Sequence, residues 1–152
     1  MQKVNILICG HKECLGDKMD LPGIKKHFQK KGHRVIIHSN FCDEMRDTKE
    51  FVLPFGDSVN PVVFAGCSPL VMERRIKALF DVPVEIANIR EQCAWVYEKS
   101  DIADKHCIDI IELAISNVKY TRQFTHPSNI LSERLAKYVS LIEEFGPNPF
   151  KI

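Results

Sequence analysis

Apolar residues along the chain fall into two alternating kinds of stretch. Short, β-branched runs at residues 4–8, 34–38, 61–65 and 82–86 are each bounded by glycine, proline or polar residues, the signature of buried strands. Between and after them the apolar positions recur at helical spacing. Asp20 is a good N-cap for a helix with Pro22 in its first turn, Ile24 and Phe28 on its inner side and Gly32 at its end. Residues 43–53 predict a second helix, with Met45, Phe51 and Val52 turned inward, cut short by Pro54 and Gly56. Residues 70–80 predict a third, entered through Pro69 and offering Leu70, Ile76, Leu79 and Phe80 for burial. Asn88 opens another after the fourth strand. Two long amphipathic patterns follow, one at 101–120 (Ala103, Cys107, Ile110, Ile111, Ala114, Val118) and one at 129–145 (Ile130, Leu131, Leu135, Tyr138, Val139, Ile142), which stops at Gly146-Pro147.

Four strands alternating with helices imply a sheet whose strands run parallel and are covered on both faces. The expected fold is therefore α/β, a three-layer domain with a four-stranded, mainly parallel sheet of the Rossmann-like or flavodoxin-like kind, plus two C-terminal helices. With 152 residues and no internal repeat or linker, the chain is expected to be one domain over 1–152, with 121–152 as a helical extension.

Composition narrows the chemistry. The 21 Lys and Arg nearly balance the 20 Asp and Glu, so no basic face is forced on the fold and nucleic acid is not an expected partner. No apolar run approaches the roughly 18 residues of a membrane span, and the N-terminal run lacks the small-residue cleavage site of a secretory signal. The expected location is the cytoplasm. There, six cysteines are not explained by structural disulfides. Hydrolase and kinase readings have no support, since no GxSxG turn, P-loop or paired-carboxylate motif is present.

The cysteines follow the strands. In a parallel sheet the carboxyl ends of all strands share one edge. Cys9 ends the first strand, Cys42 follows the second, Cys67 the third and Cys93 the fourth, while Cys14 lies in the first of these loops and can replace or join Cys9. Thiolates gathered at one edge repel one another unless a cation or cluster neutralises them. Helix N-termini after Cys67 and Cys93 would lower their pKa. Four sulfurs with no histidine set suit an iron-sulfur cluster or a four-thiolate zinc site, and the absence of any CxxC pair counts against zinc. Set against this, cysteine is also a common core residue, and Cys107, on the apolar stripe of a helix, reads that way. Two further readings use the same residues: a module that keeps the fold without a cluster and docks through its terminal helices, and a thiol/disulfide switch in which Cys9 or Cys14 pairs across the edge. Three neighbours are candidate supporting residues. Asn88 is expected to cap a helix, Arg90 to stabilise negative charge or pair with Glu91, and Trp95 to shield the site or anchor its helix to the sheet. His11 is a further possible ligand; as a loop histidine it reads first as solvated.

Two of these loops resemble a known family. The turn Phe64-Ala65-Gly66-Cys67-Ser68-Pro69 and the segment Ala87-Asn88-Ile89-Arg90-Glu91-Gln92-Cys93-Ala94-Trp95-Val96 are similar to motifs in the amino-terminal domain of the heterodisulfide reductase A subunit, over roughly residues 4–120. The resemblance implies an electron-transfer domain that holds a [4Fe-4S] cluster through cysteines spread along the chain, and a cluster of this kind can be lost in aerobic preparation. It makes Cys67, Cys93 and Cys42 ligands and places Cys9 on the first member of a Cys-His-Cys-Gly pair. Here Gly10-His11-Lys12 follows Cys9, so Cys14 stands as the alternative. Asp43-Glu44-Met45-Arg46 also departs from the family's Ser-Asp-Pro-Gly after the second-strand cysteine. The implied partners are redox proteins: a flavoprotein, a hydrogenase-type donor or other subunits of a heterodisulfide reductase. The chain lacks the GxGxxG turn of the family's flavin-binding domain, so no flavin is expected.

Overall fold

The computed structural model of the chain describes residues 3–15, 17–39, 41–44, 54–56 and 58–120. β1 (Asn5–Cys9), β2 (Arg34–His38), β3 (Val62–Gly66) and β4 (Val84–Asn88) form one sheet in the order β2-β1-β3-β4, and every neighbouring pair is parallel. β1 and β3 lie in the middle and are buried at every position, as unbroken apolar runs require of strands covered on both faces. The outer strands are more open, with Arg34 exposed at the start of β2. The fold is thus the expected three-layer α/β type. Apart from β2, which matches its run, the strands begin one or two residues later than the apolar runs suggest, so that Cys9 and Asn88 are the last residues of β1 and β4.

Helices cover the two faces differently. α1 (Lys12–Leu15) is a single turn in a loop that the sequence pattern leaves irregular, and α2 (Leu21–Lys30) follows it. Asp20 caps α2 as expected, its Oδ1 accepting from Gly23 N at 3.1 Å, and Gly32 takes φ +85° just beyond the end, a conformation that side-chain-bearing residues rarely adopt. α3 (Phe41–Glu44) begins two residues earlier than predicted; residues 45–53 of that predicted helix lie outside the described residues. α4 (Pro69–Lys77) buries Met72 and Ile76, an i, i+4 pair, whereas Leu70, expected in the core, is 99% exposed because its position lies off that stripe. α5 (Asp101–Tyr120) realises the first long amphipathic pattern. The second, at 129–145, and the extension 121–152 lie outside the described residues.

Side chains alternate across the sheet. Ile6, Ile8, Val63 and Ala65 pack with Ile24 and Phe28 of α2 and Cys107 and Ile111 of α5, while Leu7, Cys9 and Phe64 pack with Phe41 of α3 and Met72 and Ile76 of α4. The connections that leave the adjacent strands β1 and β3 therefore run to opposite faces. At such a switch point the carboxyl ends of the two strands leave a crevice, the place where open α/β sheets seat their ligands.

Candidate thiol site at the sheet edge

The switch point is lined with sulfur. Cys9 closes β1 and is 1% exposed, Cys67 is the first residue past β3 and is 3% exposed, and Cys42 reaches them from α3. The close approach of the two strand ends depends on Gly66. A Cβ there would lie 3.0 Å from Cys9 Cβ and 2.7 Å from Phe64 Cε1, so only glycine leaves both neighbours in place. All six cysteines are free thiols.

Three of them form a hydrogen-bonded array with Cys42 at its centre. The thiols of Cys67 and Cys9 both donate to the Cys42 sulfur, which holds the Cys42 pKa well below the ordinary thiol range, with His11 and Arg75 adding to the effect. The donors respond in the opposite sense: bonding to Cys42 and burial push Cys9 and Cys67 up. Cys14, half-buried, sits close enough for its charge to act on Cys67. Arg90 joins this group from the other side, hydrogen-bonding Cys14 and drawing the Cys67 pKa down against the other influences on it.

Arg90 is held by its own short element. The segment Arg90–Ala94 is a single turn of π-helix rather than the α-helix expected to open at Asn88. Asn88, still in β4, serves the turn through its side chain: its Oδ1 accepts from Glu91 N at 3.2 Å and its Nδ2 donates to Glu91 Oε2 at 3.0 Å. Arg90 Nη2 donates to Glu91 Oε1 at 2.9 Å, and the guanidinium lies 4.7 Å from the centroid of the Trp95 ring. Trp95 does not anchor a helix to the sheet. It is 65% exposed, because the π-turn carries it outward past the end of β4, where it stacks on Arg90. Arg90 Nε is buried and has no hydrogen-bond partner among the described residues.

Cys93 does not join this array. The π-turn directs it onto the opposite face of the sheet, where it is fully buried in the core cluster that α2 and α5 share with the sheet and accepts a hydrogen bond from the thiol of Cys107. That bond lowers the Cys93 pKa and, with burial, raises that of Cys107. The structure thus brings together Cys9, Cys42 and Cys67, with Cys14 and Arg90 beside them, and sets Cys93 apart with Cys107. Cys107 is the core residue that its place on the apolar stripe of α5 implies; what the stripe does not carry is that α5 returns across the face that Cys93 enters. Among the described residues no three His, Cys, Asp or Glu side chains are grouped so as to hold a metal ion as they stand, and no helix is long and apolar enough to cross a membrane.

Similarity to known proteins is partial. The chain is 26% identical over 86 residues to the A subunit of the ferredoxin:CoB-CoM heterodisulfide reductase of Methanosarcina mazei, a match that covers 52% of the chain and 11% of that protein. In Methanosarcina acetivorans it is 22% identical over 125 residues to the protein of the same name, covering 78% of the chain and 16% of the relative. It is also 26% identical over 76 residues to the A subunit of that organism's ferredoxin/F(420)H(2)-dependent CoB-CoM heterodisulfide reductase, covering 45% and 10%. The matched segment is thus a small part of each relative's length. No family model and no solved structure matches the chain. These weak, partial similarities support a relation to the heterodisulfide reductase A subunit.

Proposed function

We propose that the chain is an electron-transfer module of the heterodisulfide reductase kind, in which Cys9, Cys42, Cys67 and Cys14 hold a [4Fe-4S] cluster at the β1/β3 switch point. The observation that carries this reading is the thiol array itself: Cys9 at the end of β1, Cys67 just past β3 and Cys42 in α3, hydrogen-bonded thiol to thiol, with Cys14 beside them and a buried guanidinium N–H unused. This donor set fits a thiolate-ligated group. Sulfur ligands without a histidine set are the chemistry of iron-sulfur clusters, and the cation offsets the negative charge that four thiolates bring.

A bound cluster supplies one-electron oxidation and reduction. The protein's part follows from its residues. Cys42, already biased to the thiolate, offers a ligand without first losing a proton, whereas Cys9 and Cys67 release theirs on binding, so loading grows more favourable as pH rises. Arg90, with Nε free to donate to sulfur, favours the more reduced, more negative state. The buried ends of β1 and β3 keep water from one side. Redox proteins are the partners this reading implies: a flavoprotein, a hydrogenase-type donor or other heterodisulfide reductase subunits. Anaerobic reconstitution with iron and sulfide is expected to give a brown protein with broad visible absorbance and an EPR signal on reduction; a colourless product without iron would overturn the proposal.

One observation favours a second reading, a dithiol redox site at the same edge. Cys42 as a thiolate with two thiols in hydrogen-bond contact is also the arrangement of a nucleophile with resolving partners. It predicts a protein that binds no iron and whose Cys42 forms a disulfide with Cys9 or Cys67 on oxidation.

A further inference from the structure

The proposed site leaves Cys93 and Cys107 without a task, yet they are the pair best isolated from everything else. Both are fully buried, on the opposite face of the sheet from the Cys9–Cys42–Cys67 array, and the Cys107 thiol donates directly to the Cys93 sulfur. Their elements differ in kind. Cys107 lies within the twenty-residue α5, where the surrounding turns hold it. Cys93 lies in the single π-turn, whose neighbours Trp95 and Val96 are 65% and 63% exposed. A single turn with exposed residues at its end has fewer cooperative neighbours to hold it than the interior of a twenty-residue helix, and so opens more readily than the helix it faces.

We infer that Cys93 and Cys107 form a second redox site, a buried dithiol that an external disulfide converts to an intramolecular disulfide, tying the turn that carries Arg90 to α5. Opening of the π-turn presents Cys93. Its thiolate attacks one sulfur of the external disulfide, forming a mixed disulfide and expelling one thiolate, which takes up the proton that Cys93 gave. As the turn closes, Cys107 gives up its proton and attacks the Cys93 sulfur, and the second external thiol departs with that proton. Two protein thiols are oxidised by two electrons, and one external disulfide is reduced to two thiols. The hydrogen bond between the two thiols brings their sulfurs into contact, the starting point for a bond between them.

The consequence is a link between two chemistries. Arg90 and Cys93 share one five-residue turn, so the covalent tie fixes the turn that brings the guanidinium to Cys14. The inference does not depend on the cluster proposal, because it uses neither the edge cysteines nor iron.

The test incubates the full chain with oxidised glutathione, blocks remaining thiols with N-ethylmaleimide, and maps the products by non-reducing proteolysis and mass spectrometry. The expected product is a Cys93–Cys107 cross-link, lighter by two hydrogen atoms than the reduced peptides. In Cys107→Ala the expected result is loss of that cross-link and gain of one glutathione per chain at Cys93, an adduct that a merely space-filling Cys107 would not prevent in the parent protein. Full alkylation of both residues, or a bond from Cys93 to Cys14, Cys42 or Cys67, would overturn the inference. If Cys107→Ala does not fold, mapping of the unaltered chain decides alone.

Discussion

The two faces of the sheet use cysteine in opposite ways. On the face of α3 and α4, the buried Cys9 and Cys67 and the half-buried Cys42 meet at the carboxyl ends of two strands, with the Arg90 guanidinium acting on Cys67. On the face of α2 and α5, Cys93 and Cys107 meet inside a continuous apolar core. What separates them is position along the strand axis as much as face. The edge thiols Cys9 and Cys67 lie at or just past a strand's carboxyl end, whereas Cys93 lies in the π-turn beyond β4 and meets Cys107 on the helix that folds back. The first arrangement centres on one thiolate-biased sulfur that accepts from two thiols; the second is a single hydrogen bond between two thiols.

Substitutions distinguish the two faces. Ile111→Ala, beside the buried pair, should cost about 2–5 kcal/mol by removing a fully buried side chain. If the faces are independent, denaturant midpoints fall while iron uptake by the folded protein is unchanged. Gly66→Ala should cost less, about 1–3 kcal/mol for overpacking, but its added methyl would press on Cys9 and Phe64. It is therefore expected to impair iron binding out of proportion to its effect on stability, and equal loss in both variants would erase the distinction.

A smaller effect comes from His33. It is buried and its Nδ1 accepts from Val4 N at 3.2 Å, so burial first, and the nearby Lys119 second, lower its pKa from 6.5. The folded state then binds fewer protons than the unfolded chain, and the stability this residue contributes is present above pH 6.5 and is lost as pH falls from there through the lowered value. Denaturation followed across that range should show the decline, and His33→Gln should flatten it.

Much of the sheet was legible because β-branched runs between breakers leave few alternatives, and the placement of Cys9 and Cys67 followed from where those runs stop. The Cys93 side chain was not legible. An α-helix opening at Asn88 and a π-turn beginning at Arg90 are compatible with the same residues, but they rotate the following positions differently, and it is that rotation which sends Cys93 inward and Trp95 outward. Leu70 misled for a related reason: periodicity gives the spacing of a stripe, while Met72 and Ile76 fix its phase by finding the sheet. Partnership between Cys93 and Cys107 carries no motif, since only the return of α5 across the sheet brings them together.

The most direct measurement is iron and sulfide per chain after anaerobic reconstitution of the parent protein, Cys67→Ser and Cys93→Ser, each shown to be folded by circular dichroism. The account predicts about four irons per chain for a [4Fe-4S] cluster in the parent and in Cys93→Ser, with loss in Cys67→Ser. Loss of iron in Cys93→Ser, with retention in Cys67→Ser, would contradict it.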